Sequence, residues 1–453
     1  MKKSIAFILI LCLSIIGLSG CGTAGSALDP EHPVNLSIWH VYGSQTESPL
    51  NDAIEEFNRT VGKEKGVAVT VVSVTDSSSI DEALTKAAEQ SGIAVELPDL
   101  FTAYPRVAEN IGTDRLLDWG EYFSEKELSL YIQDFLSEGY IDGRLLALPI
   151  AKSTELFFLN ETCFDEFSSA SGTETEDLNS FEGIFDACCE YFDYSGGKNL
   201  FQINDYYNYF YAAVQSMGGE FIKDGNIDCS SGEFEKAFRA MAQAAIYGGI
   251  CTGDGYASDR WKTGEILCNI GSSAGILYLR DYITYEDGSE KDIVTSVCPY
   301  PVYEGAEPVV VQRGAGLFAV KSDDPAKNEA AAVFAKWITE PDNNLSFVTK
   351  AGYLPVTDTA FDQLFDNMET VDNEKYRLLY SAVGEMLESY SFISLPLYAG
   401  SGEVQKNFED IMKTALTNAH EEYLTRTGRG ENSDTVLSDL TDSTLALVQA
   451  QLR

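Results

Sequence analysis

The chain has 453 residues, 44% of them apolar and 23% charged, a globular balance with room for two or three domains. Its 71 acidic residues against 31 basic ones give a formal net charge of −40. That argues against a nucleic-acid partner, because phosphate contacts need clustered Lys and Arg, and against loose adhesion to anionic lipid.

The first residues read as an export signal. Met1-Lys2-Lys3 is a short basic stretch, and "SIAFILILCLSIIGL" after it is apolar for about 15 residues, too short to span a bilayer and right for a signal peptide. "LSGC" follows and ends at Cys21. It looks like a bacterial lipobox, in which the Cys thiol takes a diacylglyceryl group and becomes the new N-terminus. Residues 1–20 are then the signal, and residues 21–33 a flexible tether without a core-forming pattern. Loss of Lys2 and Lys3 takes the charge from −40 to −42.

The body begins with alternating elements. "VNLSIWHV" (Val34 to Val41) reads as a strand. Ser48 and Pro49 open a helix as N-cap and first residue, with Ile54 and Phe57 on one face. "VAVTVVSV" (Val67 to Val74) reads as a second strand, "SIDEALTKAAEQ" as a helix and "PDLFTA" as a third strand. The alternation predicts a parallel α/β sheet, whose ligands gather at the carboxyl ends of the strands. After Phe164 helical periodicity takes over, around Phe181 to Tyr194, Tyr207 to Met217 and Glu233 to Tyr247, with "KDGN" as a hairpin-like turn. "ILCNIGSSAGILYLRDY" holds a short buried strand and a glycine-serine turn. "VTSVCPYPVY" and "GAGLFAVKS" (Gly314 to Ser322) read as strands. "DPAKNEAAAVFAKWITEP" is an amphipathic helix with Ala331, Phe334, Ala335 and Ile338 on one stripe. Helical periodicity then runs on, notably over Val404 to Leu424 and Val436 to Leu452.

Seven cysteines fall between Cys163 and Cys298, with no CxxC and no His at zinc-finger spacing. Most of them read as small buried hydrophobes. Trp39, Trp119, Trp261 and Trp337 read as core.

"GRLLALPIAKSTELFFLNETCF" (Gly143 to Phe164) holds two apolar runs broken by Lys152, Ser153, Thr154 and Glu155. One run closes a first sheet and the other opens the sheet of a second lobe. Its middle, Lys152 and Ser153, is expected to face a cleft between them.

At these residues the chain resembles the extracellular solute-binding proteins of bacterial ABC importers, in their maltodextrin and multiple-sugar branch. "LPIAKSTELFFLN" is similar to the family's crossover segment, with Leu159-Asn160 in place of its usual Tyr-Asn. "NLSIWHVYG", "LPDLFTAYPRV", "KTGEILCNIGSS" and "AAAVFAKWITEPDNNLSFVTKAGYLPV" resemble four further family segments, in the same order. The resemblance implies a two-lobed α/β fold of the periplasmic-binding-protein type, each lobe a mostly parallel sheet flanked by helices. Residues 34–150 with about 303–345 would form the first lobe, and 154–300 with about 350–453 the second. It also implies a monomer that binds a small solute in the cleft, closes by hinge bending, and docks on a membrane permease.

Carried over position by position, the family's ligand site falls on Tyr42, Gly43 and Ser44 after the first strand, and on Tyr104 and Arg106 after the third. Lys152 and Ser153 come from the crossover, Tyr206 and Tyr207 from the second lobe, and Ser272 and Ser273 from the glycine turn. Arg313 and Gly314 come from a third crossing, and Tyr398 from the C-terminal part. Gly43, Ser44 and Ser273 depart from the maltodextrin pattern. A carbohydrate needs flat apolar faces and polar groups together, and Tyr supplies both. Convergence of Arg106, Lys152 and Arg313 would instead favour an anionic solute such as glycerol phosphate. A non-transporting sensor or adhesin lipoprotein is a further alternative. No enzyme is expected: there is no nucleophile elbow, HExxH or P-loop, and His32, His40 and His420 form no dyad. No cofactor and no metal is expected.

Overall fold

A computed structural model describes residues 26–42, 48–75, 77–89, 96–371, 373–398 and 400–452. Cys21 and the whole expected signal therefore lie outside the described residues, as do Gly43 and Ser44. No helix among the described residues is long and apolar enough to cross a membrane.

Two sheets carry the fold. The first has Val67–Val74, Val34–His40, Leu100–Ala103, Gly316–Ala319 and Leu148–Pro149 in that spatial order. Its first three strands are parallel, as the alternation predicts. Gly316–Ala319 runs antiparallel between Leu100–Ala103 and Leu148–Pro149. Helices cover it for local reasons that can be read from the chain. Ser48 accepts from the Asn51 N–H and Pro49 begins the helix Pro49–Arg59, which buries Leu50, Ile54 and Phe57. Asp324 caps Pro325–Thr339, whose stripe of Ala331, Phe334, Ala335 and Ile338 lies in the same core.

The second sheet is built around Ser153–Asn160. One strand takes three sets of partners in turn: Gln312 and Arg313 pair with Thr154 and Ser153, Cys268–Ser272 pairs with residues 155–159, and Thr295–Cys298 pairs with residues 157–160. Phe201–Ile203 and Ser391–Ile393 extend it on either side. Strand and helices share a large core from Leu156 to Val448. The expected "KDGN" turn joins Ile222–Lys223 to Asn226–Ile227, with Asp224 and Gly225 at positive φ (52° and 77°), the backbone of a tight hairpin. The four tryptophans are buried, and the seven described cysteines are all free thiols.

The chain passes between the sheets at residues 150–152 and again at Gly314-Ala315. Lys152 also pairs with Leu354 through backbone hydrogen bonds in both directions. Gly314 has φ of 120°, and a Cβ there would stand 2.8 Å from the Ala151 oxygen and 2.9 Å from Lys152 Cα. Two crossing segments touch at that point, and only glycine fits. Tyr303, Val310 and Val311 pack in the core of the second sheet. The return to the first lobe, expected near residue 303, therefore takes place at Gly314.

Candidate functional site

A cleft of about 910 Å³ opens between the two lobes. The first lobe meets it at the carboxyl ends of its parallel strands, where Val41, Thr75 and Tyr104 follow the three strands in turn and Pro105 and Arg106 continue the rim. That is where an open α/β sheet offers its ligand site. The second lobe contributes Asn204, Asp205, Tyr207 and Asn208 at the start of the helix Tyr206–Ser216, and Asn269 and Ser272 from Cys268–Ser272. Asp205 caps that helix, its carboxylate accepting from the Asn208 N–H at 2.9 Å. Gln312 and Arg313 lie at the crossing, and the helix Ser401–Gly428 lays Gly402, Gln405, Lys406, Glu409 and Lys413 along another side.

The charges in and behind this cleft are mostly matched. Arg313 Nη1 donates to Glu155 Oε1 at 2.7 Å and Nη2 lies 3.7 Å from Asp205. Burial works against the guanidinium charge, and Glu155, Tyr104 and Asp205 more than restore it, so its pKa stands above the ordinary value. Arg106 is ion-paired with Asp81 at 2.7 Å and lies over the Tyr104 ring, 4.9 Å from its centre. Lys152 is ion-paired with Glu138. Glu409 accepts from the Tyr207 N–H at 2.7 Å. Burial, with the neighbouring Asp205 charge, holds the Glu409 carboxyl well above the usual carboxylate range.

The polar floor is incompletely satisfied. Asn269 Oδ1, Gln312 Oε1, Glu409 Oε2 and the Tyr207 hydroxyl are buried without a hydrogen-bond partner, and all four residues line the cleft. Buried polar atoms are rarely left so, and each costs about 1–3 kcal/mol while unmet. Two of these atoms, the amide oxygens of Asn269 and Gln312, can only accept and are open to a donor such as a hydroxyl. Around them stand the rings of Tyr104, Tyr207, Tyr256 and Tyr278.

Of the residues expected at the site, Tyr104, Arg106, Tyr207, Ser272 and Arg313 line this cleft. Tyr42 does not. Its ring is fully buried between Phe347 and Tyr353 and its hydroxyl donates to the Ala315 carbonyl at 2.8 Å. Lys152 and Ser153 are buried too, because the crossing point is sealed by Glu138 and by pairing with Arg313. Tyr206 and Ser273 are buried behind the surface, each with its hydroxyl unpartnered. Gly314 is packed against Ala151 and Lys152, and Tyr398 sits outside the lining with a buried, unpartnered hydroxyl. Arg106, Lys152 and Arg313 form no common clamp, since each has its own carboxylate.

The profile of the bacterial extracellular solute-binding proteins matches residues 52–374. The chain belongs to that family. Solved structures show the same two-lobed fold for this solute-binding protein at low identity. The cyclic alpha-maltosyl-1,6-maltose binding protein of Arthrobacter globiformis is 18% identical with a TM-score of 0.63, over 93% of this chain and 99% of that one. Maltose-bound MalE3 of T. maritima is 16% identical with a TM-score of 0.65, over 91% and 99%. UgpB of Mycobacterium tuberculosis, in complex with glycerophosphocholine, is 17% identical with a TM-score of 0.66, over 93% and 100%. No sequence match to a curated protein is found.

The sequence reading of this solute-binding protein missed Asn269, Gln312 and the face of the helix Ser401–Gly428. For the helix a signal existed. Phe408, Met412 and Leu416 lie buried in the core, and Gln405, Lys406, Glu409 and Lys413 follow at helical spacing along the flank of that buried stripe.

Proposed function

We propose that this protein is the capture component of an ABC importer for a carbohydrate: an oligosaccharide or sugar derivative binds between the lobes, hinge closure encloses it, and the closed form delivers it to the permease. The observation that carries the reading is the pairing of orphaned buried acceptors, Asn269 Oδ1 and Gln312 Oε1, with tyrosine rings in one cleft. A sugar brings hydroxyl donors for the former and C–H faces for the latter. The protein works as a monomer, held to the outer face of the cytoplasmic membrane by lipid on Cys21, and it releases its ligand chemically unchanged. Closure requires that the ligand bind the closed state better than the open one. The two walls already approach at one edge, where a Cβ on Gly402, in the other lobe, would stand 3.3 Å from Arg106 Cδ.

A thermal-shift screen of the mature chain against mono- and oligosaccharides, sugar acids, glycerol phosphates, nucleosides and peptides tests the reading. A ligand at a hundred times its Kd stabilises by about 2.7 kcal/mol, several degrees in Tm. Shifts confined to nucleosides or peptides refute the carbohydrate assignment. Radelabelled release assays with hit sugars, showing cleavage, would refute simple capture.

A further inference from the structure

Resting on the carbohydrate reading, the cleft chemistry narrows it. We propose that the ligand is an acidic carbohydrate, and that Lys406 and Lys413 form the subsite for its carboxylate or phosphate. Lys406 and Lys413 stand seven residues apart on the helix Ser401–Gly428 and both line the cleft. Seven residues is two turns, so they share one face about 10 Å apart along the axis.

Every other cation lining the cleft is matched by a carboxylate: Arg106 by Asp81 at 2.7 Å, Lys262 by Asp259 at 2.8 Å, and Arg313 by Glu155 at 2.7 Å. Lys406 and Lys413 have no ion-pair partner among the described residues. In a chain with 71 acidic residues and 31 basic ones, these two cleft lysines feel a carboxyl only at longer range, Lys413 that of Glu409 and Lys406 that of Glu82.

Two carboxyls, Glu409 and Asp410, lie between them on the helix, and the one that lines the cleft, Glu409, is already engaged. Glu409 gives one oxygen to the Tyr207 N–H, and its other oxygen is buried without a partner. Burial and Asp205 favour its protonated form, in which it adds no negative charge and offers an O–H donor. Asp205 and Asp259 also line the cleft. The first caps a helix beside Arg313 and the second holds Lys262. The start of the same helix points the same way. Ser401 and Gly402 line the cleft, and Gly400 before them supplies no side-chain cap, so the positive end of the dipole opens on the site. Close by, the Tyr207 hydroxyl is buried, unpartnered and part of the lining.

The test is calorimetric titration of the mature chain with neutral oligosaccharides, each beside its uronate-bearing and its phosphate-bearing counterpart, at low and high salt. Wild type is compared with Lys406→Met and with the Lys406→Met/Lys413→Met double variant, with Tm as the check on folding. An acidic member is expected to bind roughly tenfold or more tighter than its neutral counterpart. The double variant should lose that advantage, binding acidic and neutral members alike, at unchanged Tm, and Lys406→Met alone should lose part of it. The uronate and phosphate arms identify the anion. Equal or better binding of the neutral members, or an acidic preference that survives the double variant, overturns the subsite and leaves the carbohydrate reading standing. Binding to no saccharide in any arm overturns both.

Discussion

Arg313 Nη1 and Glu155 Oε1 lie 2.7 Å apart, joining the strand that enters the second lobe to the strand that leaves it. The same carboxylate oxygen accepts from Asn208 Nδ2 at 2.9 Å, so one buried atom ties both crossing strands to the helix at the cleft. Arg313→Met removes the charge that matches Glu155 and is expected to cost about 2–4 kcal/mol, below the full buried-pair penalty because the guanidinium is part-exposed. Adding Glu155→Leu should restore part of the loss. Urea unfolding of both single variants and the double gives the coupling, expected at about 1–3 kcal/mol. Additive losses would mean that the two groups do not stabilise each other.

Tyr42 and Tyr104 separate packing from binding. Tyr42→Phe deletes the hydrogen bond to the Ala315 carbonyl and should lower stability by about 1 kcal/mol with ligand affinity unchanged. Tyr104→Ala removes a cleft ring and should weaken binding about tenfold or more, with a much smaller change in Tm. Titration and melting of both variants check the crossover, and affinity loss in Tyr42→Phe alone would return that residue to the ligand.

At Gly314 a Cβ meets the Ala151 oxygen at 2.8 Å with φ at 120°. Gly314→Ala is therefore expected to destabilise by about 1–3 kcal/mol and to disturb hinge closure. Gly232 begins the helix Gly232–Tyr247, and nothing lies within 4 Å of its Cβ position. Gly232→Ala should be neutral or slightly stabilising. Melting temperatures of the two variants, measured side by side, decide the point.

His40 sets a pH dependence. It is fully buried, its Nε2 bonds Asn51 Oδ1 at 2.8 Å, and its Nδ1 accepts from the Tyr42 N–H at 3.2 Å. Burial lowers its pKa to about 4, against an opposing contribution from Asn51. The unfolded chain takes up this proton near pH 6.5 and the folded chain only near 4. The contribution to stability is thus complete above pH 6.5 and falls as pH drops towards 4, by roughly 3 kcal/mol in all. His40→Gln should flatten this part of the stability profile. Unfolding free energies from pH 7 to 4 for both proteins test it, and parallel profiles would remove His40 as a cause.

The strands and helices were legible because period and caps agreed: Ser48-Pro49 and Asp324-Pro325 mark helix starts that the structure reproduces. The polar break at Lys152 to Glu155 correctly marked a meeting of two lobes, but hydrophilicity there suggested exposure. Its partners, Glu138, Arg313 and Asn208, come from elsewhere in the chain and satisfy these groups while buried. A local pattern carries no trace of such distant pairing. The strand read from Gly314 onward was placed, but Val309–Arg313 before it, a strand of the other sheet, was not recognised. The division of the chain between two sheets at Gly314 goes with the approach of Ala151, a contact set by tertiary packing. Lys406 and Lys413 could be assigned to a polar helix face from spacing, but what that face looks onto depends on where the helix docks.

Gly316–Ala319 fills the place between Leu100–Ala103 and Leu148–Pro149 in the first sheet. A chain growing from its N-terminus therefore cannot complete even its first lobe until most of its length has been made, and the cleft lacks a wall until Ser401–Gly428 follows. The cleft is thus among the last parts of the fold that the growing chain can assemble.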